Sequence, residues 1–331
     1  SNQLNGVMTM VKHILIGTAV LEGTGTVLLA IRFCPQFGFW RGLYNALFHA
    51  VSAFCNAGID LMGKLGPYSS LTSYRNDPLV CVTVMCLIVI GGIGFIAWED
   101  IARHKFHISN YALHTKIVLT VTAVLIFGGA ALFYGFENHH AFADLTPGEK
   151  VLAAFFQSIT PRTAGFNTVD QTTLSNSGSV LTMVLMFIGG SPGSTAGGIK
   201  TTTILIILMN AFSFSRSGGK VVLFKKRIDD DTIKQASSIM TIYLSAIMIA
   251  VAAIMALEPV QFRDVFFEVI SAIGTVGLTM GITPSLCTAS ELILICLMYL
   301  GRIGGLSLMF IFAENRQSAE LERPVEKIMV G

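Results

Sequence analysis

The sequence predicts an all-α polytopic membrane protein built from one repeated unit: a span, a short helix, a glycine turn and a second span. Three observations carry this. The 331 residues are 53% hydrophobic and only 13% charged, with a mean hydropathy of +0.67, whereas soluble domains run near a quarter charged. Six apolar stretches, approximately 10–32, 78–98, 116–136, 178–212, 236–257 and 290–313, are long enough to cross a bilayer, where about 20 residues suffice. Three short segments rhyme: Cys55-Asn56-Ala57-Gly58-Ile59, Arg162-Thr163-Ala164-Gly165-Phe166-Asn167 and Gly274-Thr275-Val276-Gly277-Leu278-Thr279, with their glycines 107 and 112 residues apart.

The elements follow in order. Residues 1–98 form one unit, with spans 10–32 and 78–98 around a loop over 40–60. The amphipathic stretch Trp40 to Phe54 leads into the first turn. Residues 99–212 form the next unit, in which Pro147 to Ile159 leads into the second turn and the last span is broken. Residues 213–313 form another, in which Val260 to Ile273 leads into the third turn; 314–331 is a cytoplasmic tail. The short helices cannot span, so each reads as a re-entrant loop, and irregular backbone at membrane depth survives only where protein or water covers it.

Lysine and arginine set the orientation. Connectors between units and the tail carry ten, namely Arg103, Lys105, Arg216, Lys220, Lys225, Lys226, Arg227, Arg316, Arg323 and Lys327, against six in the loops that hold the turns. The connectors are therefore expected in the cytoplasm and the turns open outward. Asp60, Asp77, Glu137, Asp144, Glu149 and Asp170 lie on that outer side, either concentrating cations or forming an ordinary solvated face. Three units around a pore leave a gap, so a further N-terminal unit of similar length is expected to precede this sequence.

The turns carry the chemistry. Glycine tolerates positive φ and lets successive carbonyls point into one channel, and carbonyl oxygens replace the hydration shell of a permeating cation. Asn56, Ala57 and Gly58, Thr163, Ala164 and Gly165, and Thr275, Val276 and Gly277 are the candidate ion-binding residues, with K+ held there and nowhere else. A single such turn would be an ordinary glycine helix cap; three at matched spacing behind non-spanning helices favour a filter.

The run Gly189, Gly190, Ser191, Pro192, Gly193, Ser194, Thr195, Ala196, Gly197, Gly198, Ile199, Lys200 lies inside the fourth span. Its five glycines and a proline cannot hold a helix, since each glycine costs about 1 kcal/mol and proline about 3 relative to alanine. It reads as a movable constriction below the turns, with a small-residue packing seam as the alternative. Arg302 sits in the last span, where a charge is costly and faces the bundle interior. It either lines the path and donates to carbonyls of the 189–198 loop or pairs with Glu22, and the two are compatible. Gly91-Gly92-Ile93-Gly94 reads as a helix-packing contact. His104, His107, His139 and His140 read as solvated, and the six cysteines (34, 55, 81, 86, 287 and 296) as small core residues without a metal. No catalytic set lies at membrane depth, so no enzyme is expected. The basic and aromatic segment Phe212 to Arg227 is expected to meet lipid headgroups or an acidic cytoplasmic partner; nothing points to nucleic acid.

With these residues in view, the chain resembles the membrane subunit of bacterial Ktr-type potassium uptake systems, in the Trk/Ktr/HKT superfamily. Ser158 to Asn167 resembles the third-repeat filter, Gly190 to Lys200 the intramembrane gating loop, and Gly301-Arg302-Ile303-Gly304 the last-span motif whose arginine lies near that loop. His49 to Asp60 and Ser271 to Thr279 match the second and fourth filters. The resemblance implies four span–pore–span repeats in pseudo-fourfold array, with the first outside this sequence. It also implies a homodimer in the bacterial plasma membrane, a cytoplasmic ring of nucleotide-binding regulatory subunits, and potassium uptake, often promoted by sodium, with no cofactor bound. A sodium-coupled secondary carrier with broken helices is the alternative.

Overall fold

The computed structural model describes residues 2–64, 66, 69–105, 107–216 and 221–304. Among these residues its regular structure is almost entirely helical. The first unit comprises α1 (Asn2–Phe37), α2 (Phe39–Phe54), α3 (Pro78–Ile93) and α4 (Phe95–His104). The next comprises α5 (Leu113–Glu137), α6 (Pro147–Ile159), α7 (Asn176–Phe187) and α8 (Thr201–Arg216). A two-stranded hairpin, β1 (Val222–Leu223) with β2 (Lys226–Arg227), leads to the last unit of α9 (Asp230–Leu257), α10 (Phe262–Ile273) and α11 (Thr288–Ile303).

Local signals explain the boundaries. Gly38, at φ 83°, breaks the chain between α1 and α2. Asp77 caps α3 by accepting from the N–H groups of Leu79 and Val80 at 3.1 and 3.3 Å, with Pro78 in the first turn, where a missing N–H costs nothing. Pro147 opens α6, and Glu149 reaches back to accept from Thr146 N–H at 2.9 Å. Hydrogen bonds from the Thr146 backbone, then from its hydroxyl, hold the Glu149 carboxyl below its ordinary value. Ser175 caps α7 by accepting from Gly178 N–H at 3.0 Å.

The first span of each unit is long and unbroken. Val11–Phe37, Leu113–Glu137 and Asp230–Leu257 are the described helices long and apolar enough to cross a membrane alone. The second spans differ from expectation. The stretch 78–98 does not run as one helix: α3 stops at Ile93, and the chain turns by 95° at Gly94 (φ 101°) into α4. The apolar sequence continues through the corner, so hydropathy alone could not place it. In the next unit residues 188–200 separate α7 from α8. In the last, α11 ends at Gly304 (φ 82°). The rest of the stretch 290–313, the tail 314–331, and Lys220 of the basic segment lie outside the described residues.

Three apolar clusters form the core, one per unit, and the first and last each include residues of the middle unit. Phe54, Leu87 and Ile88 pack with Phe156, Ile159 and Phe166. Met183, Met186 and Ile199 join the cluster of Val269, Ile270 and Val276. The units are thus interlocked around the turns. Cysteine placement departs from expectation: only Cys81 is buried, whereas Cys86, Cys287 and Cys296 are exposed. Apolar character placed them in the bilayer but not in the core, because a membrane helix presents apolar residues on its lipid face as well.

Candidate functional site

Each short helix ends in the same backbone figure. The residue two before the glycine is left-handed, and so is the glycine: Asn56 (φ 50°) with Gly58 (65°), Thr163 (65°) with Gly165 (88°), and Thr275 (52°) with Gly277 (90°). Left-handed backbone costs a non-glycine residue roughly 1–2 kcal/mol, and such strain persists only where the surroundings over-determine it. Here a hydroxyl residue does so in every unit. Ser52 O accepts from Ala57 N–H at 2.9 Å while its hydroxyl donates to Ile59 O at 2.7 Å. Thr160 O accepts from Ala164 and Gly165 N–H at 3.0 and 3.2 Å, and its hydroxyl donates to Phe166 O. Ser271 O accepts from Val276 N–H at 2.9 Å and its hydroxyl from Gly277 N–H at 3.2 Å. Sequence reading missed these three, although Ser52 and Ser271 both stand six residues before their glycine.

The turns meet one another. A Cβ on Gly58 would lie 2.1 Å from the Ala164 carbonyl oxygen and 2.9 Å from the Gly165 Cα. A Cβ on Gly165 would lie 2.1 Å from the Val276 carbonyl oxygen, and one on Gly277 would meet nothing within 4 Å. Gly58, Gly165 and Gly277 all line one cavity of about 780 Å³, together with Asp60, Asp144, Asp170, His140 and Arg75. Three of the six acids named above are therefore at this mouth. The others are committed elsewhere: Asp77 pairs with Arg32 at 2.5 Å, Glu149 caps α6, and Glu137 is fully buried. Glu137 accepts from Ser175 Oγ at 2.6 Å and from Ser175 and Ala141 N–H at 3.1 and 3.3 Å, tying α5 to the start of α7.

The segment 189–200 lies directly against the turns and does not line this cavity. Its neck is closed by Gly189 N–H donating to Ile199 O at 2.8 Å and Thr201 N–H to Gly190 O at 3.1 Å. Ser191 N–H and Thr195 N–H donate to Gly92 O and Gly91 O at 3.0 and 3.4 Å, and Gly193 O accepts from Phe95 N–H at 2.9 Å. The Thr195 hydroxyl donates to Phe54 O at 3.0 Å and lies 3.4 Å from Asn56 Oδ1. A Cβ on Gly197 would fall 2.0 Å from Thr275 Oγ1. Within the segment, Ser194 Oγ donates to Ser191 O at 2.6 Å and Lys200 Nζ to Ala196 O at 2.7 Å. From the last unit, Arg302 Nη1 donates to Thr195 O at 2.7 Å. Of the two partners expected for Arg302, the loop carbonyl is engaged, and no ion pair joins it to Glu22 among the described residues.

The glycines of the second spans have a packing reason. A Cβ on Gly91 would lie 2.0 Å from Phe54 O, and one on Gly301 1.9 Å from Ile273 O, so each lets its span approach the end of its own short helix. Of the histidines read as solvated, His104 instead meets Asp100 at 2.9 Å. Among the described residues, no group of histidine, cysteine, aspartate or glutamate could hold a metal ion.

The TrkH family, described as cation transport protein, matches residues 2–323. Potassium/sodium uptake protein NtpJ of Enterococcus hirae is 38% identical over 336 residues, covering 99% of this chain and 73% of that protein. Ktr system potassium uptake protein B of Bacillus subtilis is 37% identical over 330 residues, with the same coverages of 99% and 73%. The crystal structure of the potassium transporter TrkH from Vibrio parahaemolyticus superposes with a TM-score of 0.71 at 16% identity, covering 94% of this chain and 65% of that one. That last likeness concerns the fold.

Proposed function

This chain belongs to the TrkH family of cation transport proteins, and from that premise we propose that it carries potassium into the cell through a channel-like pore. It is a multi-pass membrane transporter, not an enzyme. The selectivity filter comprises the carbonyls of Asn56–Gly58, Thr163–Gly165 and Thr275–Gly277. The single observation that carries this is the meeting of three left-handed glycine turns, Gly58 against Ala164 O and Gly165 against Val276 O, at one acid-rimmed cavity. The turn carbonyls substitute for the water shell of the ion, while Asp60, Asp144 and Asp170 raise the local cation concentration.

The segment from Gly189 to Lys200 acts as the gate, with Arg302 as its latch. Its hydrogen bonds reach α3 on one side and Arg302 on the other, so a shift between units one and three of this chain breaks or makes them. In this reading 1–98, 99–212 and 213–313 are the second, third and fourth repeats of a pseudo-fourfold array, and a first repeat completes the ring beside Gly277. A homodimer, a cytoplasmic nucleotide-binding regulatory ring and sodium as an accompanying ion belong to the same proposal. The test is growth and Rb+ uptake by a potassium-uptake-deficient bacterium supplied with the full-length protein. Passive uptake that follows the Rb+ gradient supports the pore. Strict stoichiometric coupling to sodium would replace it with a carrier.

A further inference from the structure

Each short helix carries one buried polar side chain that reaches past its own turn to the segment beyond it. In α2 it is His49. Its Nδ1–H donates to Asn45 O at 2.7 Å, which leaves Nε2 to accept from Leu61 N–H at 3.4 Å. In α6 it is Gln157, whose amide exchanges hydrogen bonds with that of Gln171 at 2.8 and 3.2 Å. In α10 it is Glu268, whose carboxylate accepts from Met280 N–H at 3.0 Å, from the Thr283 hydroxyl at 3.1 Å and from the Thr279 hydroxyl. His49 and Glu268 stand nine residues before their turn glycines, and Gln157 eight. The chemical type differs in each unit while the place and the target are shared.

Resting on the filter reading above, we propose that Glu268 is a positioning residue for ion selectivity, clamping the far end of the turn Thr275–Gly277 through Thr279, Met280 and Thr283. The near end is already fixed, because Ser271 receives both Val276 and Gly277 N–H. Without the second clamp the turn is held on one side alone, Thr275 is free to relax out of its left-handed strain, and carbonyl direction is lost with it. A carboxylate suits the task because it accepts from several donors at once, and charge-assisted bonds are roughly twice as strong as neutral ones. His49 and Gln157 perform the same role with one or two bonds each. Glu268 makes no contact with the ion in this scheme and acts through the backbone.

The experiment measures Rb+ and Na+ uptake by the full-length protein in a potassium-uptake-deficient bacterium, normalised to inserted protein. The variants are Glu268→Gln, Glu268→Leu, Thr279→Val and, alongside, Gly277→Ser. Glu268→Leu and Thr279→Val are expected to lower the Rb+/Na+ ratio by about fivefold or more, the scale set by loss of a bond to a charged group. Glu268→Gln keeps a carbonyl acceptor and an amide that serves the hydroxyls, and retains the ratio to within about twofold. If Glu268→Leu does not insert, Thr279→Val decides alone, since it removes one donor and leaves the helix intact. An unchanged ratio in these variants, with the ratio lowered in Gly277→Ser, overturns the positioning role and leaves the filter standing. An unchanged ratio in all of them, Gly277→Ser included, overturns both.

Discussion

Gly165 and Val276, 111 residues apart in sequence, approach so closely that a methyl on the first would lie 2.1 Å from the carbonyl oxygen of the second. The same relation holds between Gly58 and Ala164. Each glycine is thus required twice, for its φ and for the room it leaves to the next unit.

This makes the glycines unequal. Gly165→Ala adds a methyl against backbone, and at φ 88° it also carries roughly 1–2 kcal/mol of left-handed strain. It is expected to abolish uptake and reduce the amount of folded protein. A Cβ on Gly277 meets no atom within 4 Å, so Gly277→Ser carries the left-handed strain of its φ of 90° but no clash of its Cβ with backbone, and the protein inserts while discrimination between Rb+ and Na+ falls. Membrane protein level and the two fluxes, measured together, check the difference. Equal loss of both variants from the membrane contradicts it.

Removing 190–198 leaves Gly189 and Ile199 at the neck, where their hydrogen bond of 2.8 Å already joins the two ends. The expected outcome is inserted protein with raised Rb+ flux and weakened control by a regulatory subunit. Flux that vanishes while the protein remains inserted would make the segment a structural plug support instead of a gate.

Arg302→Leu removes the donor to Thr195 O and leaves the loop held from the α3 side alone. A hydrogen bond from a charged group is worth about 1.5–3 kcal/mol, so the open population is expected to rise by about tenfold to a hundredfold. Unidirectional Rb+ flux at saturating concentration reads this. Arg302→Lys, which keeps a donor, is expected to lie between the leucine variant and the native protein.

Neutralising Asp60, Asp144 and Asp170 to asparagine is expected to raise the half-saturating Rb+ concentration about tenfold at low ionic strength, the scale of electrostatic steering, and to have little effect at high salt, where charges are screened. Maximal flux stays unchanged because the turns are untouched. A salt-independent effect would assign these residues to the fold.

Glu137→Leu leaves Ser175 and Ala141 N–H without their buried acceptor. The expected loss is about 1.5–3 kcal/mol, read as a lower thermal midpoint in detergent. Glu137→Gln recovers part of it.

The three turns were legible because glycine has no substitute at those points, and their spacing repeats. The left-handed residues ahead of them were not, since Asn56 and Thr163 carry no mark that separates them from ordinary turn residues. Ser52 and Ser271 hid for the same reason, and Thr160 stands one residue nearer its glycine, which blurs the pattern. The Pro147–Ile159 helix matched its expected bounds because proline and a capping box mark its start. The corner at Gly94 escaped notice because Phe95, Ile96 and Trp98 continue the apolar run beyond it. Glu137 could be placed on the outer side from the sequence, but burial of an acid depends on partners supplied by other elements.

The central claim is that main-chain oxygens of the three turns hold the dehydrated ion. Anomalous scattering from the full-length protein crystallised in Rb+ tests it most directly. The account predicts an ion peak enclosed by the carbonyls of Ala57, Ala164 and Val276, without water between. A peak confined to the acidic mouth, with none among those carbonyls, would contradict it.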